Sequence, residues 1–118
     1  MKPTPFLVLI MSLDVKNREA TMTYQLRDYT VKDGAMDDWL AEWARVVYPL
    51  RRQFGFEVLG AWVSRDENRF VWIIAHSDFE ARDRDYYESP ERTSLDPDPA
   101  RHLARTTTLL MDAVPVPS

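Results

Sequence analysis

The sequence contains no cysteine, only three glycines and only two histidines. The lack of cysteine excludes disulfide bonds, a thiolate nucleophile and thiolate metal ligands, and it predicts a reducing, cytoplasmic environment. The glycines, Gly34, Gly55 and Gly60, are too scattered to form a phosphate-binding loop. The sequence also lacks the Gly-x-Ser-x-Gly pattern of the serine hydrolases. Several common kinds of enzyme are therefore excluded.

The chain also lacks an excess of positive charge and a long apolar run. Its net charge is −4, and acidic and basic residues alternate along the sequence, which argues against a nucleic-acid-binding surface. No apolar segment approaches the length of a membrane span. A chain of 118 residues with 45% hydrophobic residues predicts one globular domain with a real core.

The first 21 residues differ from the rest. Phe6–Met11 is apolar, but the segment after it, ending in Asn17–Ala20, is a poor signal-peptide cleavage site. We expect residues 1–21 to be an N-terminal extension or arm and residues 22–118 to form the domain. The sequence leaves open whether translation starts at Met1 or Met22.

A long amphipathic helix is predicted between Ala35 and Gly55. Its apolar residues recur at steps of three and four, which places them on one face: Met36, Trp39, Leu40, Trp43, Val46, Val47, Leu50 and Phe54. Acidic residues open the helix, basic residues close it, and Gly55 occupies a typical left-handed stop position. Pro49 lies inside this pattern and predicts a kink, because proline lacks the backbone N–H and clashes with the preceding turn.

Strands and a second helix surround this segment. β-Branched and aromatic residues predict strands at Thr23–Val31, Phe56–Ser64, Arg69–His76 and Thr106–Ala113, and a helix is predicted between Ser77 and Ser89. The order β-α-β-β-α-β is that of an α+β ferredoxin-like fold, with an antiparallel four-stranded sheet and both helices on one face.

Two helices cover only one face of such a sheet, yet both faces of the central hairpin are apolar. Simple alternation along the two strands predicts Trp62 and Trp72 on the uncovered face. An apolar patch of that size is rarely left bare by a monomer, so we expect a homodimer that buries both tryptophans.

The motifs of the chain resemble those of the NIPSNAP family. The resemblance covers roughly residues 22–114 and rests on several short motifs in order: Tyr24–Thr30, Pro49–Arg51 with Gly55–Phe56, Phe70–Ile74, Phe79–Asp83, Tyr86–Arg92 and Asp96–Ala100. It implies a single-domain bacterial-type member of the dimeric α/β-barrel superfamily, which includes cofactor-free monooxygenases, haem-degrading enzymes and isomerases. Many members carry a histidine in the third strand, where this chain has Trp72; its own histidine, His76, follows four residues later.

Two charged residues stand where the pattern calls for apolar ones. Arg27 lies in a strand that is central in this topology, and Asp83 interrupts the apolar side of the second helix. A buried charge must be paired or must face a polar cavity. Arg27 could bind a substrate carboxylate and Asp83 could act as a general base; alternatively the two residues form a structural pair, which we favour.

The remaining candidates are histidines and aromatic residues. His76 is a candidate acid–base group, whereas an iron site built from His76 and His102 is disfavoured by their loose spacing. We expect neither a metal nor a cofactor. Five aromatic residues are candidates for a pocket that binds a small hydrophobic ligand: Tyr29, Tyr48, Tyr86, Tyr87 and Trp72.

Two functions stay open at this point. The first is a dimeric small-molecule-binding or scaffolding protein without catalysis, which the lack of a clear nucleophile or metal set favours slightly. The second is a cofactor-independent monooxygenase or isomerase that acts on a hydrophobic substrate, such as an aromatic one. The observation that separates them is whether one closed pocket contacts Arg27, Asp83 and His76 together.

Overall fold

The computed structural model describes residues 22–118 of the chain, so the predicted N-terminal arm lies outside the described residues. Four strands form one antiparallel sheet in the order β2-β3-β1-β4. The strands are β1 (Thr23–Val31), β2 (Glu57–Ser64), β3 (Arg69–His76) and β4 (Leu103–Asp112). This order confirms the ferredoxin-like α+β fold, in which the two central strands are β3 and β1.

The helices connect these strands. The first helical segment comprises α1 (Met36–Glu42), a π-helical turn (Trp43–Val47) and α2 (Tyr48–Gln53). After β3 come α3 (Phe79–Glu88), the short α4 (Pro90–Thr93) and a 3-10 turn (Pro99–His102) that leads into β4. Within residues 22–118 no helix is long and apolar enough to cross a membrane.

The irregularity predicted at Pro49 takes the form of the π-helical turn. The N–H of Tyr48 bonds to the carbonyl of Trp43, five residues back, and Pro49 then occupies the first turn of α2. In a regular α-helix the ring of Pro49 would clash with the carbonyl four residues before it, and it has no N–H to donate. The wider turn therefore accommodates the proline without ending the helical segment.

One prediction about the sheet faces is wrong. The pairing of β2 with β3 shifts between Val58 and Gly60, which is the signature of a β-bulge. The bulge reverses the alternation, so Trp62 faces away from the helices and is 55% exposed. Trp72 faces the helices and is fully buried. The two tryptophans therefore lie on opposite faces, and only Trp62 belongs to the uncovered one.

The core lies between the sheet and the helices and is largely aromatic. Trp39 packs edge-on against Tyr29 and Phe70, with ring centroids 5.6 Å apart in each pair, and Trp43 packs edge-on against Trp72 at 5.4 Å. Edge-to-face contacts of this kind stabilise a core beyond simple burial of area. The aromatic stripe of the first helical segment thus fixes the position of β1 and β3, on which the site described below is built.

Candidate functional site

A cavity of about 190 Å³ lies between the inner face of the sheet and the helical layer. Side chains from β1, β3, the helical segments and the 3-10 turn form its walls: Arg27, Tyr29, Trp39, Val47, Arg51, Trp72, Tyr86, Tyr87, Arg92, Pro99, Ala100, Leu103 and Thr106. Aromatic rings and aliphatic groups make up most of this list. The polar groups among them are consequently few and well defined.

Arg27 projects from the centre of β1 and is 7% exposed. Its guanidinium donates to three neutral oxygens: Tyr29 Oη at 2.6 Å, Gln25 Oε1 at 2.5 Å and Tyr87 Oη at 2.6 Å. Among residues 22–118 no carboxylate lies within ion-pair distance of it. Burial acts to lower the pKa of Arg27, but the electrostatic effects of Tyr29, Tyr87 and the carboxylate of Asp83, which lies beyond ion-pair distance, outweigh it and the pKa is raised. Arg27 is therefore a buried, permanently charged cation.

Asp83 pairs with a different arginine from the one expected. Its Oδ1 accepts from Arg51 Nη1 at 2.7 Å; the Arg51 side chain is only 1% exposed, that of Asp83 25%. The Arg51 guanidinium also lies over the ring of Tyr86, 3.8 Å from its centroid. Since burial raises the pKa of Tyr86, against the opposing effect of Arg51, this phenol stays neutral. The expected Arg27–Asp83 pair is not formed.

Tyr87 connects the two buried arginines. Its hydroxyl oxygen accepts from Arg27 and, at 3.2 Å, from Arg51 Nη2. A single phenol therefore holds two guanidinium groups in one network that spans β1, α2 and α3. The network fixes both cations at the wall of the cavity.

A third arginine, Arg92 of α4, lines the cavity from the side of the 3-10 turn. Its guanidinium pairs with Asp98 at 3.2 Å and lies 5.9 Å from the centroid of the Tyr87 ring. Asp98 in turn caps the 3-10 turn by accepting from the N–H of Ala100 at 2.9 Å. The α4 segment and the 3-10 turn thus close one side of the cavity together.

The wall of the cavity is positively charged. Among the described residues that line it, three are arginines and none is aspartate or glutamate. Arg51 and Arg92 have carboxylate partners outside the lining, namely Asp83 and Asp98, whereas Arg27 has only neutral ones. Among residues 22–118, therefore, Arg27 is the lining cation that has no carboxylate within ion-pair distance, and its side chain is buried.

A family comparison extends this description. The NIPSNAP family model matches residues 24–108, most of the chain. The chain belongs to the NIPSNAP family. A search of curated proteins finds no match to the sequence.

Solved structures of bacterial proteins share this fold. A family member from Agrobacterium tumefaciens superposes with a TM-score of 0.69 at 12% identity, over 79% of this chain and 86% of that one. An uncharacterized NIPSNAP domain protein from Burkholderia xenovorans gives 0.67 at 17% identity, over 80% and 94%. A protein described as a putative antibiotic biosynthesis monooxygenase from Nitrosomonas europaea gives 0.64 at 14% identity, over 80% and 92%.

In this NIPSNAP domain, Arg27 lines the cavity together with four of the aromatic candidates predicted from the sequence: Tyr29, Trp72, Tyr86 and Tyr87. Asp83 adjoins it only through Arg51. Tyr48 lies outside the lining, 37% exposed and against Trp43. His76 lies at the far end of β3, beside Phe56, with its Nδ1 accepting from the N–H of Asp78 at 2.9 Å.

His102 lies outside the lining of the cavity and forms a structural contact with Glu42. His102 bonds through Nε2 to Glu42 at 2.8 Å, and Arg101 holds the same carboxylate at 2.9 and 2.7 Å. These bonds attach the 3-10 turn to the end of α1. Within residues 22–118 no cluster of histidine and acidic side chains has the arrangement of a metal site.

Two of the three arginines of the site, Arg51 and Arg92, were not predicted from the sequence. Arg51 is one of the basic residues that close the predicted helix, although it lies four residues after Val47 and three before Phe54, on the apolar stripe itself. Its place on the apolar stripe could have indicated that the side chain of Arg51 is buried. Arg92 follows a proline in an irregular segment, where no periodicity exists to mark a buried side.

Proposed function

We propose that this NIPSNAP protein binds a small, hydrophobic, anionic molecule in the cavity and acts as a homodimer without catalysis of its own. The observation that carries the proposal is Arg27: a buried arginine with no carboxylate within ion-pair distance in the described part of the chain, at the wall of a cavity of about 190 Å³. Isolated buried charges are costly, and proteins keep them paired. An anionic ligand is the missing partner.

Size and shape support the same proposal. An engineered cavity of about 150 Å³ is large enough to bind benzene, so about 190 Å³ admits one ring with a small acidic substituent. Trp39 and Trp72 provide flat apolar walls, and Arg27 and Arg51 lie beside them. Pockets for small molecules typically combine such apolar walls with a few fixed polar groups.

The first test is the loss of anion binding on removal of the buried charge. We expect Arg27→Gln to weaken the binding of small organic acids, such as benzoate or phenylacetate, by about 30-fold or more, because truncating one partner of a buried charge pair costs about 2–5 kcal/mol. Isothermal titration calorimetry measures this, guided by native mass spectrometry of co-purified molecules. Arg84→Gln, an exposed change on α3, is the control. Equal affinity in both variants would refute the role of Arg27.

The homodimer is proposed from the uncovered face of the sheet. Trp62 and Leu109 are 55% and 58% exposed there, and the strand register places Leu26, Val71 and Ile73 between them. An apolar patch that extends across four strands favours a partner, and a second copy supplies the same surface.

This proposal predicts that Trp62→Asp converts the dimer into a folded monomer. A charge in the centre of an apolar interface loses its hydration on association, so association weakens while the inner core is untouched. Sedimentation velocity at micromolar concentration measures the change. Val116→Asp, an exposed apolar residue outside the sheet, is the control. A wild-type protein that sediments as a monomer would contradict the proposal.

The second candidate is a cofactor-independent monooxygenase or isomerase of the same hydrophobic ligand. The structural likeness to proteins described as antibiotic biosynthesis monooxygenases favours it. Asp83, however, is held by Arg51, and His76 lies outside the lining of the cavity. The catalytic roles of Asp83 and His76 and the cytoplasmic location stay predictions.

A further inference from the structure

We infer that the ligand presents only hydrogen-bond acceptors to Arg27 and its neighbours, as a carboxylate does, and that the hydroxyls of Tyr29 and Tyr87 donate to it. In this arrangement Arg27 is a positioning residue. Its N–H groups donate to the oxygens of both phenols and so orient the two hydroxyls, and its positive charge attracts the bound carboxylate. The inference rests on the proposed function and specifies the chemical class of the ligand.

The direction of the hydrogen bonds follows from the chemistry of arginine. A guanidinium has five N–H groups and no acceptor, so every group bonded to it must accept. Tyr29 accepts from Arg27 Nε at 2.6 Å and Tyr87 accepts from Nη2 at 2.6 Å. Each phenol oxygen is therefore engaged as an acceptor, and its hydrogen points to something else.

Tyr87 is the clearer case of the two. Its oxygen accepts from Arg27 and from Arg51, so two cationic donors use its acceptor capacity. Towards the cavity, Tyr87 can only donate. Its hydroxyl hydrogen has no acceptor among residues 22–118, and the residue lines the cavity while it is 42% exposed.

Tyr29 is buried more deeply, with 4% of its surface exposed. Its hydroxyl hydrogen also finds no acceptor within the described part of the chain. A buried donor without a partner is destabilising, because it has lost its hydrogen bonds to water. An oxygen atom of a ligand in the cavity removes that penalty.

The other side chains that line the cavity also offer more hydrogen-bond donors than acceptors. Arginine and tryptophan side chains only donate, and they provide five of the lining residues: Arg27, Arg51, Arg92, Trp39 and Trp72. The lining side chains that keep an acceptor site are those of Thr106, Tyr86 and Tyr29. A carboxylate in this cavity would therefore contact mainly hydrogen-bond donors, whereas a protonated amine would be repelled by the three arginines.

The test is a matched panel of ligands on the wild-type protein. Several single-ring scaffolds each carry a carboxylate, a carboxamide, an alcohol or an amine, and affinities are measured by calorimetry. We expect the carboxylate to bind at least about tenfold more tightly than the matched alcohol, and the amine not to bind. An alcohol or amine that binds as tightly as the carboxylate would overturn both the inference and the anionic ligand of the proposed function. Carboxylate binding and selectivity that stay unchanged in the tyrosine variants described next would overturn the inference alone. If no member of the panel binds, both fail.

Variants then identify the donors. Tyr29→Phe and Tyr87→Phe should each weaken carboxylate binding by about tenfold or more, because hydrogen bonds to charged groups contribute about 1.5–3 kcal/mol. Each variant should also show a smaller difference in affinity between the carboxylate and the matched alcohol. Tyr48→Phe, outside the cavity, is the matched control. Thermal unfolding without ligand detects a variant that folds poorly, and the wild-type panel decides the inference in that case. Unchanged selectivity in both folded variants would contradict the role of the hydroxyls.

Arg27→Lys separates positioning from charge. Lysine keeps the positive charge but cannot present the planar set of donors that holds two phenols and Gln25. We expect the affinity of this variant for the carboxylate to fall by about tenfold or more. The difference in affinity between the carboxylate and the matched alcohol should also become smaller. Full retention of affinity would show that charge alone suffices and would overturn the positioning role.

Discussion

Asp83→Ala is expected to lower the free energy of unfolding by about 3 kcal/mol or more. The change leaves the guanidinium of Arg51, 1% exposed, without its counter-ion, and breaking a buried ion pair by removing one partner typically costs about 3–5 kcal/mol. Arg51→Met should cost less, since Asp83 is 25% exposed and can be hydrated. Chemical denaturation of the wild type, the single variants and the double variant measures the coupling in a complete cycle.

The same helix offers a matched control for this experiment. Asp85 pairs with Arg82 at 3.3 Å, but both side chains are exposed, at 59% and 39%. Asp85→Ala should therefore change the free energy of unfolding by no more than about 0.5 kcal/mol. If Asp83→Ala were as mild as Asp85→Ala, Arg51 would have to be hydrated and the buried pair would be ruled out. Coupling near zero in the cycle would do the same.

Trp72→Ala should destabilise the fold by about 3–5 kcal/mol, the usual cost of emptying a buried aromatic site. Trp72 is fully buried at the centre of β3, in edge-on contact with Trp43. The loss should be the same at all protein concentrations, because the residue lies inside one subunit.

Trp62→Ala provides the comparison on the opposite face of the sheet. Its ring is 55% exposed, so its removal should leave the folded subunit nearly as stable while changing the dependence of unfolding on protein concentration. Thermal unfolding over a wide concentration range distinguishes the two effects. Equal, concentration-independent losses in both variants would contradict the assignment of the two tryptophans to different faces.

Sequence patterns identified most of this fold. The bounds of β1 and β3 agree with the predicted ones, because their alternating residues face a buried layer on one side. The bulge in β2 was missed, since strict alternation assumes an uninterrupted register. Gly60 was the signal, because an isolated glycine inside a strand often marks a bulge. The predicted start of β4 fell three residues late, where a 3-10 turn runs directly into the strand.

The site was predicted less completely than the fold. Arg27 stood out because a charge in a central strand is rare, and the structure places it at the cavity. Its partners could not be derived from the sequence, because Tyr87 lies 60 residues away and the orientation of a side chain depends on packing between elements. Asp83 has several arginines within reach along the chain, and only the tertiary structure selects Arg51.

The π-helical turn links the length of the first helical segment to its proline. A π-helical turn holds one residue more than an α-helical turn, so deleting one residue between Trp43 and Val47 would convert it into a regular α-helical turn and leave the helix after it in nearly the same orientation. Arg51 would then still face Asp83 and the ring of Tyr86, but the ring of Pro49 would clash with the carbonyl four residues before it. Pro49 and the extra residue of the turn form a coupled pair, and a homologue that loses one is expected to tolerate the loss only if it also loses the other.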